Sequence, residues 1–162
     1  MDERDGSHWV GTWTTAPVPV DGIALAGQTL RMISRISIGG SRLRVRLSNA
    51  YGTRDLAVGA AHLGLRSQGA GIADGSGRAL TFNGSPSAAI PAGALVVSDP
   101  VDLDVAPLAD LAVSVYLPGE MPESFPLTGH DPAHQTNYIS PAATSPPRPT
   151  CPSSRRPKPS CW

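Results

Sequence analysis

In the run RLRVRL (42–47) every second side chain is a cation, Arg42, Arg44 and Arg46, and the ones between are aliphatic, Leu43, Val45 and Leu47. Successive side chains of an extended strand point to opposite faces, so the run reads as a strand with one face in a core and the other in water. The stretch QTLRMISRISI (28–38) precedes it across Gly39-Gly40-Ser41. Two strand-like runs joined by a short Gly-containing connection predict a β-hairpin. The arginines then share a surface that Arg31 and Arg35 join from across the hairpin. Such a set can bind phosphate or carboxylate bidentately. The expectation adopted is the plainer one, a solvated sheet face, with some arginines pairing to a neighbouring strand or domain.

The rest of the chain continues this texture. HWVGTWTTA (8–16) alternates large and small side chains before Pro17 and Pro19, which predicts a first strand followed by an extended loop. Trp9 and Trp13 are expected in the core, since Trp is well buried on average; the other reading makes them platforms on which a ligand stacks. LAVGAAHLGLRS (56–67) reads as a strand whose glycines mark bulges or close backbone approach. RALTF (78–82), ALVVS (94–98), VDLDV (101–105), DLAVSVYL (110–117) and TNYIS (136–140) read as further strands bounded by Asn-Gly, Pro-Ala-Gly, Asp-Pro and Ala-Pro turns. In the fourth of these Leu111, Val113, Val115 and Leu117 share a face.

With 17 Gly and 17 Pro in 162 residues there is little room for long helices, and aromatics at 5% leave the core to Val, Leu, Ile and Ala. The predicted fold is all-β, an antiparallel β-sandwich, jelly-roll-like, of roughly eight or nine short strands over residues 8–141. Residues 142–162, AATSPPRPTCPSSRRPKPSCW, have no periodicity and are expected to form a disordered tail. Their Arg/Pro/Ser bias and abrupt Cys-Trp ending fit a GC-rich message read out of frame; a natural linker is the alternative. Both cysteines, Cys151 and Cys161, fall in that tail, so no disulfide is expected to staple the core.

Charge and motifs narrow the function. Thirteen basic and thirteen acidic residues cancel, which disfavours nucleic acid as a partner. Neither a signal segment nor an apolar run of roughly 20 residues is visible, so no membrane contact is expected and the cytoplasm is the default location. The Gly-rich segment QGAGIADGSG (68–77) lacks a P-loop pattern and is read as a plain loop without a nucleotide site or cofactor. His130 and His134 are four apart but Pro132 lies between them, so no metal site is expected. Asp131 and His134 form a D-x-x-H pattern, which some serine hydrolases use as acid and base. No G-D-S or G-x-S-x-G nucleophile accompanies it: Asp5-Gly6-Ser7 and Asp74-Gly75-Ser76 have the wrong order. Asp99, Asp102 and Asp104 are read as solvated carboxylates, with Asp102 and Asp104 on one strand face. No catalytic, cofactor-binding or metal-binding residue is assigned.

Several of these stretches together, WVGTWTTAPVP, QTLRMISRISIGGSRLRVRLSNAYGTRDLAVGAAHLGL, RALTFNGSPSAAIPAGALVVSDPVDL, and DLAVSVYLPG followed by HQTNYIS, resemble the N-terminal β domain of bacterial SGNH hydrolases, the GDSL-type esterases and lipases. The resemblance spans roughly residues 8–141. It implies descent from enzymes that hydrolyse carboxylic esters with a serine nucleophile, and a flavodoxin-like catalytic domain as the natural partner. The nucleophile, oxyanion-hole and D-x-x-H motifs of that domain have no counterpart here in the right place. The expectation is therefore an inactive, non-catalytic domain, with contact to an ester substrate or carbohydrate conceivable; a carbohydrate-binding or protein-docking module is the alternative.

Overall fold

The computed structural model describes residues 8–122, 124–130 and 135–141. The predicted tail with Cys151 and Cys161, the Asp131/His134 pattern and Asp5-Gly6-Ser7 all lie outside them. The described residues are all-β, without a helix. In chain order the strands are β1 (Val18–Val20), β2 (Leu25–Arg35), β3 (Gly40–Leu43), β4 (Arg46–Ser48), β5 (Leu56–Val58), β6 (Ala60–Leu65) and β7 (Arg78–Leu80). They continue as β8 (Ala88–Ile90), β9 (Leu95–Val97), β10 (Val101–Val105), β11 (Asp110–Met121), β12 (Leu127–Gly129) and β13 (Tyr138–Ile139).

Five strands form one antiparallel sheet in the order β13-β2-β11-β6-β7, and four two-stranded ribbons pair β1 with β12, β3 with β10, β4 with β9 and β5 with β8. The ribbons β3/β10 and β4/β9 run on from each other: Arg42 faces Asp102 and Leu47 faces Val96, with the break between them bridged by the Ser98 amide donating to the Val45 carbonyl at 2.8 Å. The alternation of residues 42–47 is as expected, with the three arginines exposed and Leu43, Val45 and Leu47 half-buried against the core.

Two expectations are corrected. Residues 28–38 and 42–49 are extended, but they do not form a hairpin with each other: β2 pairs with β11 and β13, while β3 pairs with β10. Gly39 serves another purpose than a turn. A Cβ there would lie 2.4 Å from the Val105 carbonyl oxygen and 2.9 Å from Pro107 Cδ, so only glycine lets the chain pass beside the end of β10. Nor do residues 8–16 form a strand; the first strand begins at Val18 and contains Pro19, in a ribbon with a free edge where a missing N–H is tolerated.

Leu63 in β6, Leu80 in β7, Leu103 in β10, Val113 in β11, Val58 in β5 and Ile90 in β8 join in a single core cluster, so the large sheet and the ribbons share one apolar interior. Leu111, Val113, Val115 and Leu117 lie on the core face of β11 as predicted. Ala112 and Ser114, on its other face, are buried as well, because the loop after β6 folds over them. Arg31 ties that loop down: its Nε donates to Ser114 Oγ at 2.8 Å and its Nη1 to the Ala70 carbonyl. Gly59, between β5 and β6, marks the close approach its sequence context suggests. Its N–H donates to the Tyr116 carbonyl at 2.9 Å, and a Cβ would sit 2.8 Å from the Tyr116 ring.

Candidate functional site

Several of the residues flagged as chemical in the sequence have structural partners, whereas His130 Nδ1 is buried without a hydrogen-bond partner among the described residues and Asp104 is exposed beside a concavity. Ser76 is buried, with its hydroxyl donating to the Ala73 carbonyl at 2.7 Å and accepting the Leu65 N–H at 3.1 Å, so no lone nucleophile is presented. His62 and Ser114 are opposite each other on β6 and β11, but the serine is buried under Arg31, and Asp110, four residues along β11, is engaged by Arg66 at 3.2 Å and Arg35 at 3.9 Å. Arg31 and Arg35 thus serve β2 and β11 and do not join the arginines of 42–46, which correct the shared-surface expectation. Arg42 pairs with Asp102 at 3.2 Å, an exposed contact worth little to stability. Among the described residues no group of three or more His, Cys, Asp or Glu could hold a metal ion.

Asp99 closes a tight turn. Its carboxylate accepts from Thr81 Oγ1 at 2.6 Å and from the amides of Gly84 at 2.7 Å and Asn83 at 3.1 Å. Phe82 and Ser85 exchange backbone hydrogen bonds around Asn83 (φ 53°) and Gly84 (φ 79°), the paired left-handed conformation for which Asn-Gly is favoured. The Thr81 hydroxyl, then the Gly84 amide, lower the Asp99 pKa from its ordinary 3.8; desolvation opposes them, and the Asn83 amide and the Arg44 charge add smaller lowering contributions.

The concavities are shallow. One of about 520 Å³ lies between Ile38, Gly39, Gly40 and the residues 104–107, and a second of about 390 Å³ lies beside it between Arg42, Arg78, Asp102 and Asp104. Both open broadly to solvent and are surface depressions, unlike an enclosed enzyme cleft.

The distinctive surface is aromatic. Trp9 and Trp13 were expected in the core and are instead 46% and 38% exposed, and Tyr51 is 42% exposed. Among the described aromatics Phe82 and Phe125 alone are buried, with aliphatic residues filling the rest of the interior, and the residues between the two indoles, Val10, Gly11 and Thr12, offer no aliphatic alternation that would carry a strand inward. The exposed rings sit on a fixed frame. Thr12 accepts the Ser37 N–H on its carbonyl at 3.0 Å and the Ile38 N–H on its hydroxyl at 2.9 Å, and the hydroxyl donates to the Ile38 carbonyl at 2.6 Å. The Arg44 guanidinium lies 4.3 Å from the Trp9 ring centre, a cation–π contact. Trp13 meets His130 edge-on at 5.3 Å between ring centres. Farther along, Tyr51 Oη donates to the Pro17 carbonyl at 3.2 Å and the Tyr51 N–H to Thr128 Oγ1 at 3.0 Å.

Comparison with known proteins identifies no family model and no curated protein that matches the chain.

Proposed function

We propose that residues 8–141 are the non-catalytic, jelly-roll-like β domain of an SGNH/GDSL-type ester hydrolase, inactive without a G-D-S catalytic domain. One observation supports the reading: several polar residues in the stretches that resemble this family serve as structural locks. In SNAYG, Asn49 is buried and donates to the Arg54 and Ile90 carbonyls, each at 2.9 Å. In VVSDP, Ser98 Oγ accepts the Val45 N–H at 3.0 Å and Asp99 holds the Asn83-Gly84 turn. In TNYIS, Asn137 and Ser140 accept N–H groups from β2. Acyl transfer by this route requires an exposed hydroxyl, a base within hydrogen-bond reach and an orienting acid. No such set is assembled among the described residues.

The gene supplies the direct test. Reading the nucleotides beyond the Pro141 codon in all frames is expected to reveal an apolar, ordered continuation leading to a G-D-S segment; a downstream sequence without one in any frame removes the proposal. The purified chain is expected to hydrolyse p-nitrophenyl acetate no faster than buffer. Turnover abolished by replacing a specific serine would contradict the non-catalytic assignment.

A further inference from the structure

We propose that Asn83-Gly84 is a site of spontaneous deamidation that Asp99 holds shut in the folded domain. This inference is independent of the ester-hydrolase reading. It concerns the only Asn-Gly pair in the chain. In such a pair the backbone nitrogen after the asparagine can attack the side-chain Cγ, because glycine has no side chain to block the approach. The nitrogen gives its proton to a base in solution, the N–Cγ bond forms, and the side-chain amide leaves as ammonia. Water then opens the cyclic imide at either carbonyl, which leaves aspartate or isoaspartate at position 83.

The electrophile is available. Asn83 is exposed, its carboxamide has no hydrogen-bond partner among the described residues, and a Cβ built on Gly84 would meet nothing within 4 Å. The nucleophile is held. The Gly84 N–H donates to Asp99 Oδ2 at 2.7 Å and the Asn83 N–H to Asp99 Oδ1 at 3.1 Å. Successive N–H groups converge on one anion only when the backbone between them is turned so that both point the same way. Ring closure requires the Gly84 nitrogen to swing toward the Asn83 side chain, which takes its N–H off the carboxylate.

Charge acts in the same direction as geometry. The Asp99 carboxylate opposes the negative charge that the Gly84 nitrogen must gain in order to attack. A carboxylate is also far too weak a base to remove an amide proton, so Asp99 restrains the reaction and does not promote it. Asp99 is itself anchored: its N–H donates to the Thr81 carbonyl at 2.7 Å, and Thr81 Oγ1 donates to its Oδ2 at 2.6 Å. Phe82 and Ser85 exchange backbone hydrogen bonds at 2.7 and 3.1 Å around the pair. The reaction therefore waits for this turn to open, at a rate set by the open fraction. Aspartate at position 83 would add a second negative charge to the turn, and isoaspartate would lengthen the backbone between Phe82 and Ser85, so either product weakens the closed form.

Incubation of the full chain at mildly alkaline pH, folded in buffer and unfolded in guanidinium chloride, tests this. Peptide mapping by mass spectrometry reads the amide-to-acid conversion at Asn83; isomerisation at Asp21-Gly22 or Asp74-Gly75 leaves the mass unchanged and does not interfere. The folded parent is expected to convert more slowly than the unfolded chain by about tenfold or more. Asp99→Ala should speed conversion of the folded chain by about tenfold, and Thr81→Val, which removes one anchor of the carboxylate, by a smaller factor. Circular dichroism establishes that each variant is folded, and Thr81→Val carries the test should Asp99→Ala not fold. Ile90→Ala, which weakens the core, should not reproduce the acceleration. The proposal is overturned by a folded parent that converts as fast as the unfolded chain, by folded Asp99 and Thr81 variants as slow as the parent, or by equal acceleration in Ile90→Ala.

Discussion

Asn49 Nδ2 donates to the carbonyl oxygen of Ile90, 41 residues away, at 2.9 Å, and both residues are almost wholly buried. The same amide group lies 2.9 Å from the Arg54 carbonyl and 3.2 Å from the Pro91 carbonyl, so its two hydrogens tie the turn after β4 to the end of β8. Asn49→Ala should cost about 1–3 kcal/mol, the range for leaving buried acceptors unpaired. Asn49→Asp should cost more, because an acceptor-only carboxylate would then face those carbonyls. Urea unfolding of the two variants beside the parent checks the ranking, which the reverse order would refute.

Ile90 itself is 0% exposed and packs among the core residues that join the large sheet to the ribbons. Ile90→Ala is expected to destabilise by about 2–5 kcal/mol, and Ile90→Val by about 0.5–1.5 kcal/mol. Denaturant midpoints at constant m-value would measure both. Equal losses for the two substitutions would mean that the site does not retain a cavity.

The strands were legible where a single segment carries the whole signal. The alternation of 42–47 and the apolar face of 111–117 depend only on the two-residue period, and both hold. Pairing was not legible in the same way, since periodicity marks a strand without naming its partner. β2 pairs with β11, whose residue Ala112 lies opposite Ile33, and of the two glycines that suggested a local hairpin Gly39 is required by crowding from Val105 and Pro107. The exposure of Trp9 and Trp13 was hidden for a related reason. Trp9 and Trp13 carry the same hydrophobic mark whether buried or exposed, and the Thr12 bonds that hold their segment outside the sheet come from residues more than twenty positions away. Of the expected arginine face, Arg42, Arg44 and Arg46 are exposed, whereas Arg31 and Arg35 belong with β11.

Asp99 gives the domain an acid-sensitive turn. Its folded pKa is lowered from 3.8, chiefly by the Thr81 hydroxyl and the Gly84 amide, so the carboxylate binds protons more weakly in the folded state than in the unfolded one. The resulting stabilisation is fully present above the unfolded value and is lost as pH falls through the lower folded value. Asp99→Asn should therefore reduce stability at neutral pH and flatten the fall in stability below pH 3.8. Unfolding midpoints followed from neutral to acidic pH would show the two curves converging; parallel curves would count against the assignment.

Gly59 and Tyr116 should be energetically coupled. A methyl at Gly59 would stand 2.8 Å from Tyr116 Cδ1, and the ring, which is 38% exposed, must move outward to admit it. Gly59→Ala is expected to destabilise by about 1–3 kcal/mol, the usual cost of overpacking. In the Tyr116→Ala background the same substitution should cost less. A double-mutant cycle with a coupling below about 0.5 kcal/mol would show that the ring does not set the constraint.

The outer edge of β2 is closed by segments from both ends of the described chain. Thr29 N–H donates to Ser140 Oγ at 2.9 Å, Tyr138 pairs with Arg31, Ile33 N–H donates to Asn137 Oδ1 at 3.2 Å, and beyond the strand Ser37 N–H donates to the Thr12 carbonyl at 3.0 Å. An uncovered edge exposes a row of donors and acceptors on which another chain can add a strand. Gln28 Nε2 also donates to the Ser140 carbonyl at 2.7 Å, so Ser140 is the strongest single clamp on the C-terminal side. The double variant Asn137→Ala, Ser140→Ala removes both side-chain acceptors while leaving the core untouched. Its Thr29 and Ile33 amides should exchange with solvent faster than in the parent, while Val113 in the middle of β11 keeps its protection. Light scattering of the variant at rising concentration should show association that the parent lacks. Unchanged exchange at Thr29 and Ile33 would mean that the backbone pairing of β13 closes the edge without help from the two side chains.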